Sequence, residues 1–214
     1  MAIAKNGPHG EHCGRIGNVV YYMLNGKLVS RKIGRSTKPP TLSQLSSRLE
    51  TKICSEFISR IQDVINIGFG IEMQGTDKNA FNLAVAYNKK NMFSGVYPDF
   101  KINYDLLILS KGILMPAQNP QVLQTEAGIQ YTWDTDLKMA FPESTDQVMM
   151  LAYFPKAEKV FYTLFGSDRS SGTALLPIPA SLKNQYMETY ISFASADRKQ
   201  LADSAYTGAF NKQD

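Results

Sequence analysis

Apolar positions along the chain follow two periods, about 3.6 and 2, and the stretches where one replaces the other outline the predicted elements. Near the start, Asn18-Val19-Val20-Tyr21-Tyr22-Met23-Leu24 and Lys27-Leu28-Val29-Ser30-Arg31-Lys32-Ile33 are β-prone runs separated by Asn25-Gly26. Asn-Gly between two such runs signals a type I′ hairpin, because that turn needs positive φ at both central positions. Alternation puts Leu28, Ser30 and Lys32 on one face of the second strand and Lys27, Val29, Arg31 and Ile33 on the other, so neither face is wholly apolar. A lone hairpin of this kind is marginal in water. It must dock on something.

After Pro39-Pro40 the period lengthens. Thr41-Leu42-Ser43-Gln44 reads as a capping box. Leu42, Leu45, Leu49, Ile53, Phe57, Ile61 and Val64 then recur at steps of three or four, which predicts one amphipathic helix of about 25 residues ending near Gly68. Thr76-Asp77 is read as the cap of a second helix, with Ala80, Phe81, Ala84, Val85, Tyr87 and Met92 on its apolar face and an end near Gly95.

From about Asp105 the period falls back to 2. Candidate strands are Leu106–Ser110, Ile129–Trp133, Gln147–Phe154, Val160–Leu164, Thr173–Ile178, Tyr186–Ala194 and Ser204–Gly208, separated by turn-forming residues. Short strands at this spacing predict an immunoglobulin-like or fibronectin type III-like sandwich, and Trp133 falls where such modules often bury a tryptophan. The expected fold is α+β: residues 1–100 form a Gly-rich segment, a β-hairpin and a two-helix domain, and residues 101–214 form an all-β sandwich. Pro98 to Asn103 is the expected junction.

Composition changes this picture little, but charge changes it a good deal. With 43% hydrophobic and 20% charged residues the chain is ordinary globular protein. Its net charge of +4 is unevenly spread: residues 1–60 carry ten Lys/Arg against three Asp/Glu, and residues 61–214 carry thirteen against sixteen. A basic end of this kind is expected to meet something acidic, whether nucleic acid or the acidic surface of a protein, including a neighbouring copy. Arg15, Lys27, Arg31, Lys32, Arg35 and Lys38 are the candidate contacts. No segment approaches the 18 apolar residues of a membrane span, and the first residues lack the apolar run of a secretory signal. The expected location is the cytoplasm, or a phage particle released by lysis.

The stretch Pro8-His9-Gly10-Glu11-His12-Cys13-Gly14-Arg15-Ile16-Gly17-Asn18 gathers both histidines and one of the two cysteines. Zinc needs three or four converging N or S ligands. His9, His12 and Cys13 could supply three, but no second Cys/His cluster follows, and the expectation is no metal and no cofactor. His12 and Cys13 are adjacent, so in an extended segment they point to opposite faces, which prevents activation of the thiol by the imidazole. Asp134 with Asp136, and Glu143 with Asp146, flank turn-like segments where acids commonly bond to backbone amides. No catalytic residue is assigned, and the protein is expected not to be an enzyme. Gly10, Gly14 and Gly17, spaced at four and three, do not make a Walker or dinucleotide fingerprint; they permit positive φ or close backbone approach.

The pattern Gly10-x-x-x-Gly14-Arg15-x-Gly17-x-Val19-Val20-x-Tyr22, then Gly26-Lys27-x-Val29-x-Arg31, then Pro40-Thr41-x-x-Gln44-x-x-x-Arg48, resembles the start of an uncharacterised family of unknown function encoded by Bacteroidetes and by phage-like elements. Ala80-Phe81-Asn82, Tyr87-Asn88, Trp133 and Arg169-Ser170-Ser171-Gly172 are similar to that family as well. The resemblance implies no catalytic residue. Its fixed points are the glycines, the tyrosine and the basic residues, with the histidines and Cys13 between them.

The expected function is that of a non-enzymatic structural subunit, a homo-oligomer that builds a phage particle or filament through its N-terminal segment. Gly10, Gly14, Gly17, Tyr21, Tyr22 and Gly26 are the candidate assembly residues. The alternative is a nucleic-acid-binding protein that uses the basic hairpin and helix. A third reading is a sandwich that binds carbohydrate or a host surface.

Overall fold

The computed structural model describes residues 10, 12–24, 26–34, 37–76, 78–136 and 142–212, and residues 2–4 as backbone. The chain divides into two compact units, Met1–Leu42 and Ser43–Asp214.

The first unit is a four-stranded antiparallel meander of β1 (Ala2–Ala4), β2 (His12–Ile16), β3 (Val19–Leu24) and β4 (Lys27–Lys32), hydrogen-bonded in that order. The hairpin expected from Asn25-Gly26 is β3-β4, with Tyr22 opposite Val29 and Leu24 opposite Lys27. The glycine-rich segment extends the hairpin's own free edge: β2 pairs with β3, and β1 pairs with β2.

The second unit opens with α1 (Leu42–Arg60), α2 (Gln62–Gly68) and α3 (Ala80–Asn88). The single helix expected from Leu42 to Gly68 is broken at Ile61, where φ −111° and ψ 25° leave the helical region. The break redirects the chain so that Ile61, Val64 and Ile65 all reach the core. The cap of α3 is Asn79, not Thr76-Asp77: the Asn79 side chain accepts a 2.7 Å hydrogen bond from the Asn82 amide, the favoured N-cap arrangement. Asp77 lies outside the described residues.

A small hairpin follows, β5 (Phe93–Val96) and β6 (Asp99–Ile102), turning at the cis Tyr97–Pro98 bond. This is the segment expected to join two domains. The expected strand at Leu106–Ser110 is instead irregular chain after a 3-10 turn at Tyr104–Leu106. It is nevertheless held tightly. The buried Asn88 side chain donates to the Ile108 carbonyl (2.8 Å) and accepts from the Ile108 amide (2.8 Å), replacing a strand partner.

The remaining strands are β7 (Gln121–Gln124), β8 (Gly128–Thr132), β9 (Gln147–Phe154), β10 (Lys159–Thr163), β11 (Thr173–Pro177), β12 (Met187–Ala194) and β13 (Ala205–Phe210). They form two antiparallel sheets, β10-β9-β12-β13 and β11-β8-β7. Ile129, Tyr131, Val148, Met150, Phe154, Leu176, Ile191 and Phe193 fill the space between them. On the opposite side of the four-stranded sheet, Met149, Leu151, Tyr153 and Tyr190 pack with Phe57, Ile58, Ile65, Phe69 and Ala84 of the helical segment. Tyr162 on β10 bonds Asp63 on α2 at 2.6 Å, and the Tyr190 hydroxyl bonds the Tyr104 carbonyl at 2.7 Å.

The boundary expected near residue 100 is therefore corrected. Helices and strands share a core, and the chain divides at residue 42. Three layers result in the second unit: helices, four-stranded sheet, three-stranded sheet, consistent with the α+β class. Strands β9 and β12 are apolar on both faces because both faces are covered.

Candidate assembly surface

The N-terminal sheet holds most of the residues singled out from the sequence. Residues 1–42 contain seven Lys/Arg and one acid, Glu11, a net charge of +6, which leaves −2 for the rest of the chain. Directly opposed residues of antiparallel strands share a face, so the registers sort the side chains. One face carries Cys13, Arg15, Val20, Tyr22, Leu24, Lys27, Val29 and Arg31. The Arg31 guanidinium lies 6.0 Å from the Tyr22 ring centre, within reach of a cation–π attraction. The other face carries His12, Ile16, Val19, Tyr21, Met23, Leu28, Ser30 and Lys32. His12 meets Tyr21 edge-on, with ring centres 6.1 Å apart.

One face is thus aromatic and cationic, the other mainly apolar. Neither is covered within the unit: none of the described residues from 10 to 42 is buried. Ile16, Met23, Leu24 and Leu28 are each more than two-fifths exposed.

The glycines have separate tasks. Gly17 (φ +56°) turns the chain between β2 and β3, and Gly26 (φ +76°) is the second residue of the β3-β4 turn; a Cβ at either would meet open space. Backbone conformation alone demands glycine there. Gly14 sits inside β2 opposite Tyr21, and Gly10 is a bend before it. Arg15 donates from Nε to the Gly17 carbonyl at 2.9 Å, closing the β2-β3 turn. Lys38 lies beyond the sheet and is exposed. Arg35 and His9 are outside the described residues.

Of the sequence's chemical candidates, Asp134 and Asp146 have structural partners instead. His12 and Cys13 are neighbours in β2 and share no face. Among the described residues no three His, Cys, Asp or Glu side chains gather as a metal site. Asp134 accepts from Asn119 Nδ2 at 2.6 Å.

Asp146 and Arg169, each about 95% buried, pair at 3.2 Å. Burial raises the Asp146 carboxyl above its ordinary range and lowers the Arg169 guanidinium, with their mutual attraction the smaller effect on each. Arg169 also stacks on Phe193 at 3.9 Å and donates to the Met115 carbonyl at 2.8 Å, and its own carbonyl accepts from Trp133 Nε1 at 2.8 Å. This cluster pins the turn before β11 onto the sandwich. Sequence reasoning missed it, although Trp133 and Arg169 both stand among the family-like positions.

Glu188 was missed entirely. Buried on β12, it accepts from the hydroxyls of Tyr186 and Tyr206, the latter at 2.6 Å. Burial and the neighbouring carboxylate raise both phenols. The cavity between α2 and the four-stranded sheet, lined by Val64, Met149, Leu151, Tyr190 and Ser192, measures about 20 Å³, room for one water at most.

No curated protein and no solved structure matches the chain. A family model does, over residues 11–208, which takes in β2 to β4 of the N-terminal sheet together with nearly all of the second unit. The chain therefore belongs to DUF6266, a family of unknown function.

Proposed function

We propose that this protein is a non-enzymatic structural subunit that self-associates through its N-terminal sheet, as part of a phage particle or filament. One observation carries the reading: residues 1–42 form a sheet of their own in which no described side chain is buried. Sheets persist in water when a hydrophobic face is covered. Ile16, Val19, Tyr21, Met23 and Leu28 supply such a face, and a cover from another chain would stabilise it. The test is light scattering on the full chain and on a chain beginning at Leu42. The full chain is expected to be oligomeric and the shortened one monomeric; the same number of subunits for both would end the assembly reading.

The other face favours a second reading. Arg15, Lys27 and Arg31 around Tyr22 resemble the cation-and-aromatic surfaces that grip single-stranded nucleic acid. Binding to DNA or RNA oligonucleotides that weakens steeply with salt would support it, and affinity indifferent to salt would remove it.

The sandwich itself is read as immunoglobulin-like or fibronectin type III-like. The facing orders β7-β8-β11 and β10-β9-β12-β13 support this, as does the burial of Trp133 beside Phe193. The helices on the outer face of the larger sheet would then be an addition to that plan.

A further inference from the structure

We propose that the N-terminal sheet of one molecule docks on the outer face of β7-β8-β11 of a second copy of this chain. This rests on the assembly reading above. The two sheets of the sandwich are treated differently: helices cover the outside of one, and among the described residues no element of the second unit packs outside the other.

On that bare face the registers align Gln121, Thr132 and Thr173 in one row and Leu123, Gln130 and Leu175 in the next. None is charged. Leu123 is 67% and Leu175 41% exposed, and the Gln130 amide donates to the Thr173 hydroxyl rather than reaching into water alone. Exposed apolar side chains gathered on one face and rimmed by polar residues mark interaction sites. Acids occur at the ends of the face instead: Glu126 in the β7-β8 turn, and Asp134 and Asp136 just after β8.

The donor has the complementary character. Its apolar face is uncharged at Ile16, Val19, Tyr21, Met23 and Leu28, with Lys32 at the margin and +6 on the unit as a whole. Two N-terminal sheets placed together would oppose +6 to +6. The second unit, at −2 with acids flanking a neutral face, attracts the donor. The dimensions are compatible as well: donor strands β2 to β4 have five or six residues and acceptor strands four or five, about 13–20 Å, and sheets stack face to face about 10 Å apart. Because donor and acceptor are different surfaces, the contact is heterologous and repeats into a ring or a filament.

The test uses the full chain and sedimentation velocity. Leu123→Lys with Leu175→Lys places like charge on the acceptor. Met23→Lys with Leu28→Lys, an opposed pair in β3-β4, does so on the donor. Gln121→Lys with Thr132→Lys is a second acceptor variant that removes no apolar side chain. Each is expected to weaken self-association about 100-fold or more, while circular dichroism at a dilution where the wild type is also monomeric is expected to show the wild-type fold. Mixing one donor variant with one acceptor variant is expected to restore a single contact and give a 1:1 dimer.

If an acceptor variant assembles like the wild type, this face is not the acceptor, while self-association still stands. If both variants dissociate and their mixture stays monomeric, the contact is not head-to-tail and the proposal is overturned. A monomeric wild type would overturn the assembly reading itself.

Discussion

Among the described residues two antiparallel sheets have four strands, and they are held by opposite means. In β10-β9-β12-β13, strands β9 and β12 are buried almost end to end, with helices on one face and a second sheet on the other. In β1-β2-β3-β4 no described side chain is buried, and the two hairpin turns rest on Gly17 and Gly26. Backbone pairing is alike in both. What differs is the apolar surface removed from water, the dominant favourable contribution to folding. The buried sheet has both faces covered within its own unit, whereas the exposed one has neither face covered within its own.

The glycines repeat the contrast. In the second unit Gly112 is required for space, since a Cβ there would lie 1.9 Å from the Leu201 carbonyl oxygen. In the first unit Gly17 and Gly26 are required for backbone angle, with nothing near them.

The sharpest way to break this comparison is core truncation. Phe57 is 2% exposed and packs edge-on against Tyr153 with ring centres 5.1 Å apart; Phe57→Ala is expected to cost about 4 kcal/mol. Met23→Ala, at a position 45% exposed, is expected to leave the denaturant midpoint of the second unit unmoved. A midpoint shift of similar size from both would mean that the N-terminal sheet is part of the same cooperative core.

Arg169→Met comes next. It strands the buried Asp146 carboxylate and is expected to cost about 3 kcal/mol at neutral pH, and Asp146→Asn, which strands a guanidinium that cannot shed its charge, is expected to cost at least as much. The pH dependence has a definite sign. Burial raises the folded Asp146 pKa, so on acidification the folded protein takes up this proton before the unfolded chain does. That group's contribution to stability grows as pH falls through its folded pKa, and is lost as pH rises through it. Denaturation curves of the wild type and Asp146→Asn at pH 7 and below check this: the gap between them widens as the pH falls through the folded Asp146 pKa.

Asn88→Ala removes both bonds to Ile108 and is expected to cost about 2 kcal/mol, read as faster amide exchange along residues 107–110 before any global loss. The smallest effect is in the first unit. Gly26→Ala meets no atom, only the positive φ, and is expected to cost the hairpin about 1 kcal/mol. Exchange in β3 and β4 would rise while the melting of the second unit holds.

Much of the second unit was legible because strand alternation and turn residues are local signals. Gln147–Phe154 was read with its observed ends, and β8, β10, β11, β12 and β13 to within one or two residues at most of their ends. β7 was missed, since Gln-Val-Leu-Gln is too short to show a period. The hairpin β5-β6 was missed as well, because a single Tyr-Pro turn between four-residue strands reads as a break. At the candidate surface, the β3-β4 hairpin, its two faces and its cations could be read from spacing. The pairing of β1 and β2 onto it could not, because β1 has only three residues and Gly14 interrupts the alternation in β2.

The sequence by itself determined the α+β composition, the Asn25-Gly26 hairpin, the concentration of positive charge before residue 42 and the membership signalled by the glycine, tyrosine and arginine pattern. Only the tertiary structure decided that helices and strands share one core, that the chain divides at residue 42 and that Asp146 is tied to Arg169. The physical reason is range. Turn conformation and side-chain alternation act between near neighbours, whereas burial of a sheet face depends on which distant segment arrives to cover it.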